Sequence, residues 1–287
     1  MKGGEFLIKQ QEAKDVFIPE ELNEEQRMFQ SMTRDFIRVN IWPHVAKIDK
    51  QVENPEMVPN LLEEIGKLGL LGAGVPEEYG GMGVDFNTET VLSEELGKSH
   101  SFGVAVAAHT GIGTLPILYF GTEDQKKKFL PELATGKMKA SYCLTEPNSG
   151  SDALAARTKA VLDGDEWVLN GQKMWITNAG FADLFIVFAK VDGELFSCFI
   201  VEKDTPGLTL GDEEIKLGIK GSSTRQVFFE NVRIPKDNLL GEIGKGHKIA
   251  FNVLNIGRFK LCAMVMGGSK KAIEIAVNYA NERHQFG

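Results

Sequence analysis

The segment YCLTEPNSGSDA, Tyr142 to Ala153, carries the most specific chemical signal in the sequence. An apolar run leads into Pro147, and the hydroxyl and carboxyl side chains of Ser149, Ser151 and Asp152 follow closely. A turn of this kind can gather backbone N–H groups and two hydroxyls around an anion. It can equally be a tight loop capped by Asp152. It is not a P-loop, because no Gly-Lys-Ser/Thr follows, and the GxGxxG of dinucleotide-binding folds is absent.

A second segment, NGQKMWITNAG, places Trp175 beside Ile176 and Thr177 on a predicted strand. A single tryptophan is usually a core residue. Here it stands among polar neighbours, Lys173 and Asn178 included. That setting suits an aromatic ring that packs flat against a ligand while a neighbouring hydroxyl makes one directed hydrogen bond.

Helical signals run from about residue 22 to residue 136 and predict an N-terminal α-helical bundle, residues 1–137. Asn23 with Gln26, and Thr122 with Gln125, have the three-residue spacing of a capping box. Apolar residues then recur at helical spacing, and a glycine-rich loop interrupts them at residues 69–83. The predicted helices open at Asn23, near Pro59, at Thr88, at Val104 and at Thr122.

The pattern changes near Lys139 to short segments rich in β-branched and aromatic residues. The pairs Asp163-Gly164 and Asp192-Gly193 lie between apolar runs and predict hairpin turns. We therefore expect a middle domain, residues 138–244, built as an antiparallel β-barrel or sandwich. A long helical pattern then returns and predicts the first part of a C-terminal helical bundle, residues 245–287. The expected fold class is α+β and multidomain.

Composition excludes several function classes. The chain has 287 residues, a net charge of −8 and no basic block, so nucleic-acid binding is not expected. Cys143, Cys198 and Cys262 lie far apart in apolar surroundings, which predicts buried thiols, and no spacing predicts a metal site.

Ser99–Thr122 is uncharged and long enough to cross a bilayer, but its histidines, proline and glycines favour a buried helix over a transmembrane segment. The first residues contain acids and lack the apolar core of a secretory signal, so we expect a cytoplasmic location over a mitochondrial one.

Five strings in order resemble the acyl-CoA dehydrogenase family over nearly all of the chain from Leu22 onward. They are VPEEYGGMG, GTEDQKKKFLPELATGKMKASYCLTEPNSGSD, KMWITN, GIKGSSTRQVFFENVRIP and RHQFG. HTGIG, PNSGSD and VLNIGRF look most like the very-long-chain branch. The resemblance implies a flavoprotein that oxidises an acyl-CoA thioester to the trans-2-enoyl-CoA in fatty-acid β-oxidation. FAD would take the β-hydride and pass electrons to an electron-transfer flavoprotein.

The resemblance also implies roles for individual residues. Tyr142, Leu144 and Thr145 would lie along the flavin, with Ser151 near the pyrophosphate and the substrate. Trp175 and Ile176 would lie at the isoalloxazine, and Thr177 would reach its reactive central nitrogen.

The resemblance implies further roles for residues of the predicted C-terminal helix. Arg258, with Asn255 one turn earlier, would contact the CoA portion of the substrate, although a solvated helix arginine is the alternative. Arg283, Gln285 and Phe286 would reach the FAD of a neighbouring subunit, which implies a homodimer or homotetramer.

No catalytic base is assigned in this chain. In most members of the family the catalytic Glu lies in a part beyond the position of Gly287, and a minority place it directly before the arginine that Arg258 matches, where this chain has Gly257. We therefore expect a fragment that is inactive alone, with Ile249, Val253 and Met264 exposed for want of partners.

The expected substrate is a long-chain acyl-CoA. Gly111 and Gly113 would leave room for a long acyl chain, and the alternative is that they only allow close helix packing. An FAD-binding scaffold or assembly homologue, an acyl-CoA oxidase that uses oxygen, and a non-flavin binding module are the alternatives.

Overall fold

The N-terminal part of the chain folds around helices that pack their apolar faces together. The structure is a computed structural model that describes residues 9, 10, 12 and 18–287. In chain order the helices are α1 Glu24–Phe36, α2 Val45–Ile48, α3 Met57–Lys67, α4 Phe86–Leu96, α5 Ser101–Ala107, α6 Leu115–Phe120, α7 Glu123–Ala134 and α8 Gly246–Glu282. A π-helical segment, Ala108–Gly113, joins α5 to α6.

Both predicted capping boxes are confirmed. Asn23 Oδ1 accepts from the Gln26 backbone N–H at 2.8 Å, and Gln26 Oε1 accepts from the Asn23 N–H at 3.1 Å. Thr122 and Gln125 make the same reciprocal bonds at the start of α7. Each box satisfies N–H groups that a helix start leaves without partners, which is why local sequence fixes these two boundaries.

One mixed, open sheet forms the middle of the chain. Its strands are β1 Ala140–Cys143, β2 Lys159–Asp163, β3 Glu166–Thr177, β4 Leu184–Val191, β5 Leu195–Glu202, β6 Leu208–Glu213, β7 Thr224–Pro235 and β8 Leu239–Leu240. The order is β6-β7-β3-β2-β4-β5-β8, and β1 also pairs with β4. The predicted α+β class and the helical, β, helical sequence of parts are confirmed.

The sheet differs from an all-antiparallel barrel because β1 and β2 both run parallel to β4. β1 pairs with residues 184–187, and β2 pairs with residues 190–191. The two short strands therefore occupy successive stretches of one edge of β4. Residues 144–158 leave the sheet between them, so the TEPNSGSD segment is a loop held at both ends by the same strand.

The two predicted hairpins are present. Gly164 has a φ of +64° between β2 and β3. Asp192 and Gly193 have φ values of +53° and +79° between β4 and β5. The first turn has Gly164 and Asp165 at its centre, and the positive φ at the first of these positions suits glycine. In the second, Val191 pairs with Leu195, so the loop has three residues, and the positive φ values of Asp192 and Gly193 suit this pair of residues.

Helix α8 packs closely on α4 through glycines. A Cβ added to Gly97 would lie 1.9 Å from the Met264 carbonyl oxygen, and one added to Gly267 would lie 1.7 Å from that of Glu94. This contact and the β-domain bury Ile249, Val253 and Met264, so the prediction that these three side chains are exposed is wrong. Other apolar residues of α8 are exposed, among them Val265, Ile273 and Val277.

The uncharged segment is a core element. Ser101–Phe120 and Gly246–Glu282 both have the length and hydropathy of a membrane-crossing helix. In the folded chain 72% of the most apolar window of the first is buried, against 22% for the second. Burial inside the helical bundle accounts for the composition of the first segment, as the sequence indicated.

The cysteines divide into two kinds. Cys143 and Cys198 are buried, and burial raises the pKa of the Cys143 thiol to about 12. Cys262 is exposed, so the prediction of a buried thiol is wrong there, because it lies on the outer face of α8. No group of three or more His, Cys, Asp or Glu residues in the described part of the chain could hold a metal ion.

Candidate ligand-binding site

A cavity of about 310 Å³ lies where α4, α5, the π-helical segment and α8 meet the end of β3. Most of its wall is apolar, and the apolar side chains include Leu70, Leu71, Val75, Leu92, Leu96, Val104, Leu115, Leu254 and Met264. Thr177 contributes from β3, and Gly111 and Gly257 line it without side chains. An apolar cleft with a few polar groups is the usual form of a small-molecule site.

Trp175 lies next to this cavity along β3 in a strained conformation. The pairing of β3 with β7 shifts register between Lys173 and Ile176, and Trp175 has a φ of +58°. Its side chain is 60% exposed. A bulky residue at positive φ costs about 1–3 kcal/mol, and such strain concentrates at functional sites. The exposed, strained indole is therefore a candidate for ligand contact.

The register shift at Trp175 is a β-bulge, and it determines which way the next side chains face. Ile176 is buried in the core of the sheet, whereas Thr177 lines the cavity. The Thr177 carbonyl accepts from the Ser141 hydroxyl at 2.9 Å, which fixes the strand end. The Thr177 hydroxyl has no hydrogen bond to another residue in the described part of the chain, so it is available to a ligand.

The TEPNSGSD loop is held by a carboxylate that sequence reasoning set aside. Glu146 accepts from the backbone N–H groups of Arg157 and Thr158 at 2.5 and 3.0 Å and from the Thr158 hydroxyl at 2.6 Å. Lys173 Nζ lies 2.7 Å from the same carboxylate. Burial opposes the charge of Glu146, but Lys173 and these hydrogen bonds lower its pKa below the ordinary value. Burial lowers the pKa of Lys173.

The two loop serines have different surroundings. The Ser149 hydroxyl donates to the Asp152 carbonyl at 2.7 Å and so belongs to the loop itself. Ser151 is exposed, and no other described residue bonds its hydroxyl. Asp152 makes no side-chain capping bond to the short helix after it, so the loop is not capped as the simpler interpretation expected. Of the two loop serines, Ser151 is therefore the one whose hydroxyl is available to a ligand.

The strand that leads into this loop is buried. The Tyr142 ring packs edge-on against Phe188 at 5.0 Å, and burial raises the pKa of its hydroxyl well above the usual value. Leu144 is also buried. The Thr145 carbonyl accepts from the Met174 N–H at 2.9 Å, which places Thr145 beside the Trp175 bulge.

Arg258 reaches the cavity, whereas the end of α8 does not. Arg258 lines the cavity and donates to Asn255 Oδ1 at 2.8 Å, one turn earlier on the same face. Arg283 follows the last residue of α8 and is about 37 Å further along at 1.5 Å per residue. Arg283, Gln285 and Phe286 are exposed, and none of them lines this cavity.

An ion pair that no sequence motif indicates lies in the cavity wall. Lys260 Nζ lies 2.7 Å from Glu89 Oε1, and both residues line the cavity. They are 171 positions apart, so no local motif links them. One feature of the sequence could have indicated the pair. Lys260 is charged, yet its helical spacing from Gly257 and Met264 places it on the face of α8 that lines the cavity.

The chain thus combines a helical, β, helical arrangement with a mostly apolar cavity at the junction of its parts. The acyl-CoA dehydrogenase N-terminal domain matches residues 23–137, its middle domain residues 141–232 and its C-terminal domain residues 244–287. The chain belongs to the acyl-CoA dehydrogenase family.

Relatives and solved structures agree with this assignment. A probable acyl-CoA dehydrogenase of Bacillus subtilis (strain 168) is 52% identical over 99% of this chain and 48% of its own length. The crystal structure of an acyl-CoA dehydrogenase complexed with FAD from Bacillus anthracis has a TM-score of 0.96 and 51% identity, covering 100% of this chain and 49% of that one. The chain thus spans about half the length of these relatives.

Two human relatives are about equally similar. The mitochondrial short-chain specific acyl-CoA dehydrogenase is 42% identical over 93% of this chain and 65% of its own length. The very long-chain specific enzyme is 43% identical over 94% of this chain and 43% of its own length.

Proposed function

We propose that this chain binds FAD and acyl-CoA and supplies the flavin and acyl subsites of an acyl-CoA dehydrogenase. The observation that carries the proposal is that the free Thr177 hydroxyl and Arg258 reach one apolar cavity beside the exposed Trp175. The Bacillus anthracis relative, 51% identical, is a complex with FAD, which supports the same cofactor here.

The residues around the Trp175 bulge fit a flavin. An exposed indole offers a face for stacking, and Thr177 offers one unpaired hydroxyl at the cavity edge. FAD, when bound, supplies a hydride acceptor. The residues that we propose around it are Tyr142, Leu144, Thr145, Ser151, Trp175, Ile176 and Thr177, with Arg283, Gln285 and Phe286 reaching the FAD of a neighbouring subunit in a homodimer or homotetramer.

The cavity fits the acyl part of the substrate. Its apolar lining excludes water from a thioester and its chain, and a dry site strengthens the polarisation of a carbonyl by fixed donors. Arg258, with Asn255, lies at the surface next to the cavity, where a guanidinium can bind the phosphates of CoA. Ser151 is the remaining candidate for substrate contact.

No residue of this chain is proposed as the catalytic base. Among the described residues that line the cavity, Glu89 is the single carboxylate, and Lys260 holds it in an ion pair. Glu146 is held by Lys173 in the same manner. Neither carboxylate is therefore free to take up the α-proton, and we propose that this chain alone does not dehydrogenate acyl-CoA.

The proposed chain length, electron acceptor and location are supported by the relatives and by the cavity. Gly111 has open space around it in the cavity wall, which supports long acyl chains, although the short-chain and very long-chain relatives are equally similar. We propose electron transfer to an electron-transfer flavoprotein and a cytoplasmic location, which the bacterial relatives support. The proposed domain limits remain 1–137, 138–244 and 245–287.

The test is FAD titration of the 287-residue chain, followed by its visible spectrum. Trp175→Ala should raise the FAD dissociation constant about tenfold, because an aromatic contact contributes about 0.5–1.5 kcal/mol beyond area burial. Tyr279→Ala removes a similarly exposed ring from α8 and is the matched control. Equal FAD affinity in both variants, or no FAD binding by the unaltered chain, would refute the assignment.

A further inference from the structure

The ion pair between Glu89 on α4 and Lys260 on α8 is unusual because of its surroundings. Their charged atoms are 2.7 Å apart, and the side chains are only 19% and 11% exposed. Both line the cavity that we assign to the acyl group. Charges in an apolar wall are retained at a cost in desolvation, so their presence calls for a role.

This pair is the strongest polar feature that the cavity wall offers. The Ser93 hydroxyl donates to the Glu89 carbonyl at 2.8 Å, and the Thr110 hydroxyl donates to the Val106 carbonyl at 3.0 Å. Both hydroxyls are thus satisfied by their own helices. In the described lining, the groups that remain are Thr177, the surface residue Arg258 and this pair.

The surroundings hold the pair in place. A Cβ on Gly74 would lie 2.2 Å from Glu89 Oε1, so glycine is what allows the carboxylate to lie against this backbone. Lys260 Nζ also lies 5.9 Å from the centre of the Phe86 ring. The ammonium is therefore positioned by two neighbours, a carboxylate and an aromatic face.

We propose that Glu89 and Lys260 determine the acyl-chain length that the cavity accepts. An alkyl chain long enough to reach the pair must lie against two charges and remove the water that still solvates them, which is unfavourable. A shorter chain gains the apolar contacts without that cost. The inference rests on the proposed function, since it assigns the cavity to the acyl group.

Binding of saturated acyl-CoAs of increasing length, from butyryl-CoA to stearoyl-CoA, tests this by calorimetry. For the unaltered chain, affinity should rise with length and then level off at a threshold. Glu89→Leu with Lys260→Met keeps the volume and removes the charges. Beyond the threshold, the double variant should gain about fourfold in affinity for each further methylene that it buries, and below it both proteins should bind equally.

A matched control lies on the same two helices. Glu94 and Lys270 also join α4 to α8, at 2.6 Å, but neither lines the cavity. Glu94→Leu with Lys270→Met should leave the length profile unchanged. If the apolar cavity variant does not melt cooperatively, Glu89→Gln with Lys260→Gln retains the size and polarity and should shift the threshold in the same direction by a smaller amount.

The outcomes separate the two proposals. A length profile that is identical in the unaltered chain and the cavity variants overturns the role of the pair and leaves the proposed function intact. Tighter binding of an ω-carboxyl acyl-CoA than of its methyl-ended equivalent by the unaltered chain also overturns it, because the pair would then recognise a polar chain end. Absence of acyl-CoA binding at every length refutes the proposed function and this inference together.

Discussion

Lys173 Nζ lies 2.7 Å from Glu146 Oε1, and the two side chains are 0% and 6% exposed. The pair joins β3 to the loop of residues 144–158 and also brings Lys173 within 3.2 Å of the Leu144 carbonyl. Thr145 and Ser151 on the loop therefore keep a fixed position relative to Trp175, two residues beyond Lys173. The buried ion pair thus fixes the relative positions of Thr145, Ser151 and Trp175, the residues that we propose around the flavin.

Lys173→Met should destabilise the chain by about 3–5 kcal/mol, because it leaves the Glu146 carboxylate buried and without its counter-charge. The free energy of unfolding in urea measures the loss. Lys203→Met is the matched control, since its pair with Asp183 is half exposed at the lysine and should contribute at most about 1 kcal/mol.

The double variant Glu146→Gln with Lys173→Met separates charge from contact. Removing both charges should recover part of the loss, because no isolated charge then remains buried. If Lys173→Met and Lys203→Met cost the same, the buried pair has no special role in holding the loop.

His109 should make stability depend on pH. Its Nε2 lies 2.9 Å from the Leu133 carbonyl, and its Nδ1 accepts from the Ala140 N–H at 3.2 Å, which fits a neutral ring. Burial lowers the pKa of His109 from 6.5 to about 4. Between pH 6.5 and pH 4 this histidine is protonated in the unfolded chain and neutral in the native chain. The free energy of unfolding should therefore fall by about 3 kcal/mol as the pH falls through this window.

His109→Gln checks this assignment. A glutamine amide can donate to the Leu133 carbonyl and accept from the Ala140 N–H, but it does not titrate. Urea unfolding at pH 7 and at pH 4.5 should therefore show a smaller loss for the variant than for the unaltered chain. An equal loss in both would place the pH dependence elsewhere.

Gly111 and Gly113 should respond differently to the same substitution. A Cβ at Gly111 meets nothing within 4 Å, whereas one at Gly113 would lie 2.7 Å from Ala140 Cβ. Gly111→Ala should leave stability unchanged or raise it by up to about 1 kcal/mol. Gly113→Ala should lower it by about 1–3 kcal/mol through overpacking. Thermal melting measures both, and equal effects would contradict this division.

The features that the sequence predicted correctly depend on residues close together in the chain. Capping boxes and Asp-Gly hairpins depend on residues two to four positions apart, so Asn23, Thr122 and Asp192 identified their elements correctly. The cavity depends on contacts between distant segments, and nothing near Glu89 in the sequence indicates Lys260.

The same reason accounts for the predictions that failed. Met264 is buried because α8 approaches the end of α4 closely at Gly97. The glycines of one helix do not indicate in the sequence which other helix packs against them. The Glu146–Lys173 pair spans 27 positions and two elements, so Glu146 resembled any other acid in a loop.

Gly257→Glu should introduce a carboxylate without an ion-pair partner into the cavity, where Lys260 already holds Glu89. Gly257 lines the cavity together with Thr177 and Arg258, and a Cβ there meets only Ile112 Cγ2, at 3.9 Å. Glutamate is also the better helix former by about 0.5–1 kcal/mol, so the variant should fold. Arg258 next to it would keep the carboxylate ionised and able to accept a proton.

The measurement is the visible spectrum of the FAD-loaded chain mixed anaerobically with palmitoyl-CoA. The unaltered chain should stay yellow, Gly257→Glu should lose its visible absorbance, and Gly257→Gln, which has the same size without the charge, should stay yellow. Bleaching of the unaltered chain would mean that a working base already lies within these residues. If Gly257→Glu binds palmitoyl-CoA with unchanged affinity and stays yellow, a carboxylate at residue 257 does not reach the α-proton, and the assignment of this cavity to the acyl part of the substrate must be revised.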